Sequence, residues 1–309
     1  MNFAAIRKDL RCRFRGAGWS LVFYYIMMNI IMVGAAVGVG MEQNNVSTAV
    51  INEATGFGYL ISTIFGLFIL IGRGQKGFMK SQVLAERRPM KPLSFFKILC
   101  VFLSVQFVSY FYNMIMEALL NSMGYSMYRY KELMQTDSDS LTMYLYMAIS
   151  APITEEILFR GLIMRTMRPY GRKFAIFTSA FLFGIFHGDW TQIPFAFTVG
   201  LILGYVAMEH HILWAMLLHM INNMFLADGL TRITSHMPSE TSTLIFLGVV
   251  FAFAIAALII MIVDRKKISA YLKPEPMNKL CVQAFFSCPS VITMTLLALF
   301  NAWMLIMPV

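Results

Sequence analysis

The sequence predicts an all-α fold: a polytopic membrane helix bundle of about eight to nine spanning segments, with its N-terminus in the cytoplasm. Three observations carry this. Of the 309 residues 58% are apolar and only 13% charged, and the mean hydropathy is +0.66, a balance typical of a membrane protein. Apolar runs recur at lengths near the roughly 20 residues that a helix needs to cross a bilayer. The strand alternation and turn punctuation of a membrane barrel are missing, which leaves helices to satisfy the backbone inside lipid.

Residues 1–17 carry Arg7, Lys8, Arg11, Arg13 and Arg15 ahead of an apolar run from Gly18 to Gly40. That run is long for the apolar core of a signal peptide and reads as a retained anchor. Further apolar segments follow at about 56–72, 93–120, 141–163, 174–188, 193–208, 212–227, 242–263 and 281–307. The segments between 174 and 227 are short for a span, which predicts tilting or shielding by neighbours.

With the N-terminus inside, segments 1–17, 73–92, 164–173 and 264–279 are cytoplasmic and hold most of the 25 Lys and Arg. The outer loops hold only Arg129, Lys131 and Arg232, while Lys97 and Arg160 fall within helices. This is the positive-inside asymmetry, so the net charge of +9 reports topology and a lipid bilayer partner, not nucleic acid. The scattered Cys12, Cys100, Cys281 and Cys288 form no C-x-x-C pair and indicate neither a disulfide framework nor a thiolate metal site. No repeat or linker divides the chain, which predicts a single integral membrane domain over 1–309. Two G-x-x-x-G patterns, Gly34/Gly38 and Gly200/Gly204, suit close helix packing.

Three polar sets interrupt the apolar segments. The first is Glu155-Glu156 with Arg160. A charge at the bilayer centre costs about 3 kcal/mol on insertion scales, so three within so short a stretch need a reason. Glu156 and Arg160 are spaced i and i+4 with the acid first, the favoured order for a helical pair. Glu155 lies about 100° further round and faces elsewhere. The second set is Phe183-Gly184-Ile185-Phe186-His187, where Gly184 lets another helix approach. The third is His219-Met220-Ile221-Asn222-Asn223, where His219 and Asn223 share a face. Counted from the cytoplasmic ends of their segments, Glu155 lies at roughly 12 Å, His219 at roughly 10 Å and His187 at roughly 20 Å. Glu209-His210-His211 reads as a solvated turn, and Asn113 and Glu117 as side chains reaching the outer interface.

E-E-x-x-x-R, F-x-x-x-H and H-x-x-x-N, in that order on successive helices, resemble the CPBP family of intramembrane endopeptidases, which includes CAAX prenyl proteases and bacteriocin-processing enzymes. The resemblance covers a core of about 141–227. It implies that Glu155 and His187 activate a water, and that His219 and Asn223 stabilise the oxyanion. Two adjacent carboxylates resist both being ionised in a poorly hydrated site, and pairing with Arg160 assigns the charge to Glu156 and leaves Glu155 as the base. Neutral His and Asn donate to a developing oxyanion without adding charge. Proteolysis at depth needs a polar cavity, expected to open to the cytoplasm. Glu155, His187 and His219 are also a chemically reasonable zinc set, but H-E-x-x-H is absent, and making Glu155 a ligand would leave the paired Glu156 as base. The favoured reading therefore requires no cofactor, with zinc the alternative.

The expected partner is a peptide or lipidated peptide within the membrane. The expected location is a bacterial plasma membrane, or the endoplasmic reticulum in a eukaryote. A non-catalytic member acting in bacteriocin self-immunity or as a membrane scaffold is the alternative, and a transporter would need inverted repeats that are not seen.

Overall fold

With no water in a bilayer core to bond the backbone, an apolar chain satisfies itself as helices. The computed structural model describes residues 3–42, 48–73, 89–130, 140–273 and 278–309. They are all-α apart from a two-residue antiparallel pairing of Tyr125–Ser126 with Met307–Pro308. The main helices are α1 (Phe3–Glu42), α2 (Thr48–Arg73), α3 (Pro92–Ser122), α4 (Arg172–Phe186), α5 (Ile193–Glu209), α6 (Ile212–Asn222), α7 (Ser239–Val263), α8 (Arg265–Leu272), α9 (Lys279–Phe286) and α10 (Pro289–Met304).

The basic segment 1–17 and the apolar run after it form one helix, α1. Ile6, Leu10, Phe14, Ala17 and Leu21 are buried, a stripe at helical spacing that docks the charged end of α1 on α9, with the Phe14 and Phe285 rings 5.7 Å apart. Among the described residues, α3 and α7 are long and apolar enough to cross a membrane, and α9 with α10, bent by 63°, would make a third span. The expected count of eight to nine is not reached by this measure, partly because α5 and α6 are short.

Between Ser140 and α4 the helix alternates in kind. Alpha-helical turns Leu141–Leu145, Ala151–Glu156 and Met164–Met167 alternate with π-helical segments Tyr146–Ser150 and Ile157–Ile163. Pro152 explains a feature of the first π segment. The Ala151 N–H donates to the Tyr146 carbonyl five residues back. The next bond in that register would run from residue 152 to Met147, but proline has no N–H to give. The Met147 carbonyl accepts from the Asn223 side chain instead, at 2.8 Å. In the second π segment the Phe159 carbonyl accepts from the buried Ser179 hydroxyl of α4, at 2.8 Å. At Met147 the neighbouring segment thus supplies the partner that the local ladder cannot.

Helices α4 and α5 pack face to face on glycines. A Cβ on Gly184 would stand 3.0 Å from Phe197 Cβ, one on Gly200 3.2 Å from Ala180 Cα, and one on Gly204 3.0 Å from an Ile176 methyl. Of the two G-x-x-x-G patterns, Gly200/Gly204 serves close packing, whereas a Cβ on Gly34 or Gly38 would meet nothing within 4 Å among the described residues.

Three of the four basic segments expected on one side meet at one end of the bundle. Tyr170 donates to Asp9 at 2.6 Å, Arg172 pairs with Glu209, and Lys173 donates to the Lys273 carbonyl at 2.5 Å. Most of segment 73–92 lies outside the described residues. At the same end Asp264, which separates α7 from α8, binds Lys97 at 2.5 Å and Lys267 at 3.1 Å. Hydrogen bonds from Lys97 and then Lys267 hold the Asp264 carboxyl below its ordinary value of 3.8. A lowered folded-state value means that this clasp contributes above the ordinary carboxylate range and is lost as pH falls through the lowered value. Asp264→Asn is expected to melt below wild type at neutral pH, with the gap closing as the medium is acidified past that range. A gap independent of pH would show that charge is not what the clasp supplies.

Candidate active site

Glu156 closes one α-helical turn, and Arg160 lies in the π segment that follows. An Arg160 Nη1–H donates to Glu156 Oε1 at 2.8 Å, and both side chains are fully buried. Taking two charges out of water is repaid only by good geometry and further partners, and Arg160 has both. Its other amino group donates to the Gly200 carbonyl at 3.2 Å, and its guanidinium carbon lies 4.4 Å from the centre of the Phe183 ring. The expected pairing of Glu156 with Arg160 is present.

His219, on α6, joins the two carboxylates. Its Nδ1 is 3.1 Å from Glu156 Oε1, and its Nε2 is 3.7 Å from Glu155 Oε2. Glu155 therefore does not face away from the pair, as its helical angle suggested; it meets the opposite edge of the same imidazole. Glu156 Oε1 already accepts from Arg160, so the proton in the short contact sits on His219 Nδ1. A neutral ring so placed presents a lone pair at Nε2, and donation from that atom needs a second proton. Glu156 Oε2 is buried with no hydrogen-bond partner among the described residues.

His187 caps α4, with Nδ1 2.9 Å from the Phe183 carbonyl. A carbonyl only accepts, so this contact places the proton on Nδ1 and the lone pair on Nε2, the tautomer able to accept from a water. The half-buried His187 ring meets Phe183 edge-on at 5.0 Å, and His219 meets the same ring edge-on at 5.7 Å. The two imidazoles thus both meet one phenyl ring. The next residue, Gly188, turns with φ +56°, and a Cβ there would lie 2.5 Å from the Tyr25 hydroxyl. Asn301 Nδ2 donates to the Gly188 carbonyl at 3.3 Å.

Asn223 opens a π-helical segment, Asn223–Gly229, directly after α6. It donates to the Met147 carbonyl and accepts from Asn222 Nδ2 at 3.0 Å, while Asn222 Oδ1 accepts from Gln106 Nε2 of α3 at 3.3 Å. Neither Asn222 nor Gln106 was singled out from the sequence for a role of its own; an amide within the apolar run 93–120 was the available signal. Three residues with bland readings also have partners. His211 is buried and caps α6 by accepting from the Leu213 N–H at 3.2 Å. Glu209 pairs with Arg172 and accepts from Tyr271. Glu117 accepts from Ser126 and from the Met127 N–H.

Among the described residues no group of three His, Cys, Asp or Glu side chains is arranged to hold a metal ion. Of the alternative zinc set, Glu155 and His219 approach each other, with Oε2 3.7 Å from Nε2, and His187 meets the same Phe183 ring as His219. The site thus offers a buried Arg–Glu–His–Glu series, a second imidazole with a free Nε2, and a carboxamide held at its oxygen and through one N–H.

Removing one partner of the innermost pair should strand the other. Arg160→Leu is expected to lose about 3–5 kcal/mol of stability, and Arg160→Leu/Glu156→Leu much less, in denaturant unfolding of the detergent-solubilised protein. Equal losses would mean that the charges do not depend on each other.

The family described as Rce1-like type II CAAX prenyl endopeptidases matches residues 137–225. No curated protein matches the chain, and no solved structure does. The matched stretch contains all three polar sets in order and ends just beyond Asn223. Over that stretch the chain is similar to type II CAAX prenyl endopeptidases, the likeness that the three motifs suggested.

Proposed function

We propose that the chain hydrolyses a peptide bond near the C-terminus of a membrane-associated, prenylated CAAX-type peptide, through a water activated by Glu155 and His187. The observation that carries this reading is the placement of His219 between Glu155 and Glu156, with His187 across the Phe183 ring. His187 Nε2 and Glu155 accept hydrogen bonds from the water, and one proton passes to Glu155 as the water oxygen attacks the scissile carbonyl. The new C–O bond turns the carbonyl oxygen into an oxyanion. Asn223 donates to it, together with His219 Nε2 in the imidazolium form that the Glu156 carboxylate supports from Nδ1. Collapse breaks the C–N bond, and the proton held by Glu155 goes to the departing amine. Arg160 keeps Glu156 charged and fixed. No step runs through a metal.

The gathering of basic segments at one end supports a cytoplasmic N-terminus, and with it access of a cytoplasmic peptide tail from that side. Digestion of a farnesylated CAAX-type peptide by the membrane-reconstituted chain tests the reading. Glu155→Ala and His187→Ala are each expected to slow cleavage by about 100-fold or more while leaving the melting curve in place. A chelator is expected to leave wild-type activity intact. Cleavage that survives Glu155→Ala, or that a chelator abolishes and zinc restores, would refute this mechanism.

A further inference from the structure

The geometry points to Gln106 and Asn222 as positioning residues for Asn223, an inference that rests on Asn223 serving the oxyanion. The three side-chain amides form a head-to-tail series. Gln106 Nε2 donates to Asn222 Oδ1 at 3.3 Å, Asn222 Nδ2 to Asn223 Oδ1 at 3.0 Å, and Asn223 Nδ2 to the Met147 carbonyl at 2.8 Å. The direction of the series is set at its last member. A backbone carbonyl can only accept, so the Asn223 nitrogen must face Met147 and its oxygen must face Asn222. Each earlier amide then has one workable orientation. Met147 is available because Pro152 has no N–H to offer it in the π register. The Asn223 carboxamide is thus held at its oxygen and through one N–H, which leaves its second N–H for a further acceptor. Asn222 is buried, and Gln106 enters from α3, outside the stretch that matches the family.

Gln106 acts by donating, which separates it from a packing residue. Gln106→Leu removes the donor. Gln106→Glu keeps the shape and donates only while its carboxyl is protonated, so ionisation on raising the pH turns the first member of the series into an acceptor. With the full-length chain in nanodiscs and a farnesylated CAAX-type peptide, Gln106→Leu is expected to lower kcat about tenfold, with KM within about twofold of wild type and an unchanged melting temperature; complete loss of an oxyanion donor costs about 100-fold or more. Gln106→Glu should show a kcat that falls with rising pH, on a limb that wild type and Gln106→Leu lack. Wild-type kcat in Gln106→Leu, or a wild-type pH profile in Gln106→Glu, would overturn the inference. If the wild-type chain cleaves no such peptide, the proteolytic reading fails and the series is judged by spectroscopy alone. The Asn223 side-chain NH2 resonances in 15N-labelled protein, identified by their loss in Asn223→Asp, should then move in Gln106→Leu, and unmoved resonances overturn the inference.

Discussion

The buried pair of Glu156 and Arg160 sets the terms for the rest of the bundle. Each ion, left alone away from water, would carry a desolvation penalty of several kcal/mol, and their mutual attraction repays it only with good geometry and further partners. Those partners come from three other helices: the Gly200 carbonyl from α5, the face of Phe183 from α4, and the His219 imidazole from α6. The pair therefore brings four segments together at one point. Gly200 is what lets α5 reach it, since a Cβ there would stand 3.1 Å from Phe183 Cδ1. Phe183 in turn lies against both imidazoles, so the charge pair, the aromatic ring and the two histidines are positioned as one unit.

Irregular backbone around this unit has a local cause. A regular α-helix uses its own carbonyls and leaves none for side chains, whereas a π register ending at a proline leaves one over. Met147 is such a carbonyl, and Asn223 takes it. The Phe159 carbonyl, within the segment that carries Arg160, accepts from the Met164 N–H and also from the Ser179 hydroxyl. Polar side chains on α4 and on the segment after α6 are thus bonded to the backbone of the helix that bears Glu155 and Glu156. The two π segments and the three polar sets belong to the same arrangement.

Much of this was legible in the residues. Charges inside apolar runs are few enough that Glu155, Glu156 and Arg160 stand out, and the i, i+4 spacing of Glu156 and Arg160 indicated their pairing. Gly184 and Gly200 announced close packing. What spacing could not give was the partner across helices. An ideal helix turns Glu155 about 100° away from Glu156, yet an imidazole has two nitrogens on opposite edges and can meet both carboxylates. His219 does so from α6, 63 residues from Glu156, and no local pattern encodes that contact. His211 looked like part of a solvated turn because it has charged and polar neighbours in sequence; it is buried because it caps α6. Apolar composition also does not show where helices stop: α5 and α6 are short, and α9 and α10 meet at a 63° bend.

The same reasoning explains why helices outside the family-matched stretch matter to the site. Between helices in lipid there is little hydrophobic drive, because the tails are as apolar as leucine, so close packing and the few interhelical hydrogen bonds decide which surfaces meet. Gln106 of α3 bonds to Asn222, Asn301 of α10 bonds to the turn after His187, and the Tyr25 hydroxyl of α1 lies where a Cβ on Gly188 would stand. Each of these polar groups lies in a largely apolar stretch of its helix, and each meets a residue beside one of the candidate catalytic side chains. In such a chain an isolated amide or hydroxyl within a long apolar run marks a contact with another helix, and these three converge on the ends of α4 and α6, where His187 and Asn223 are held.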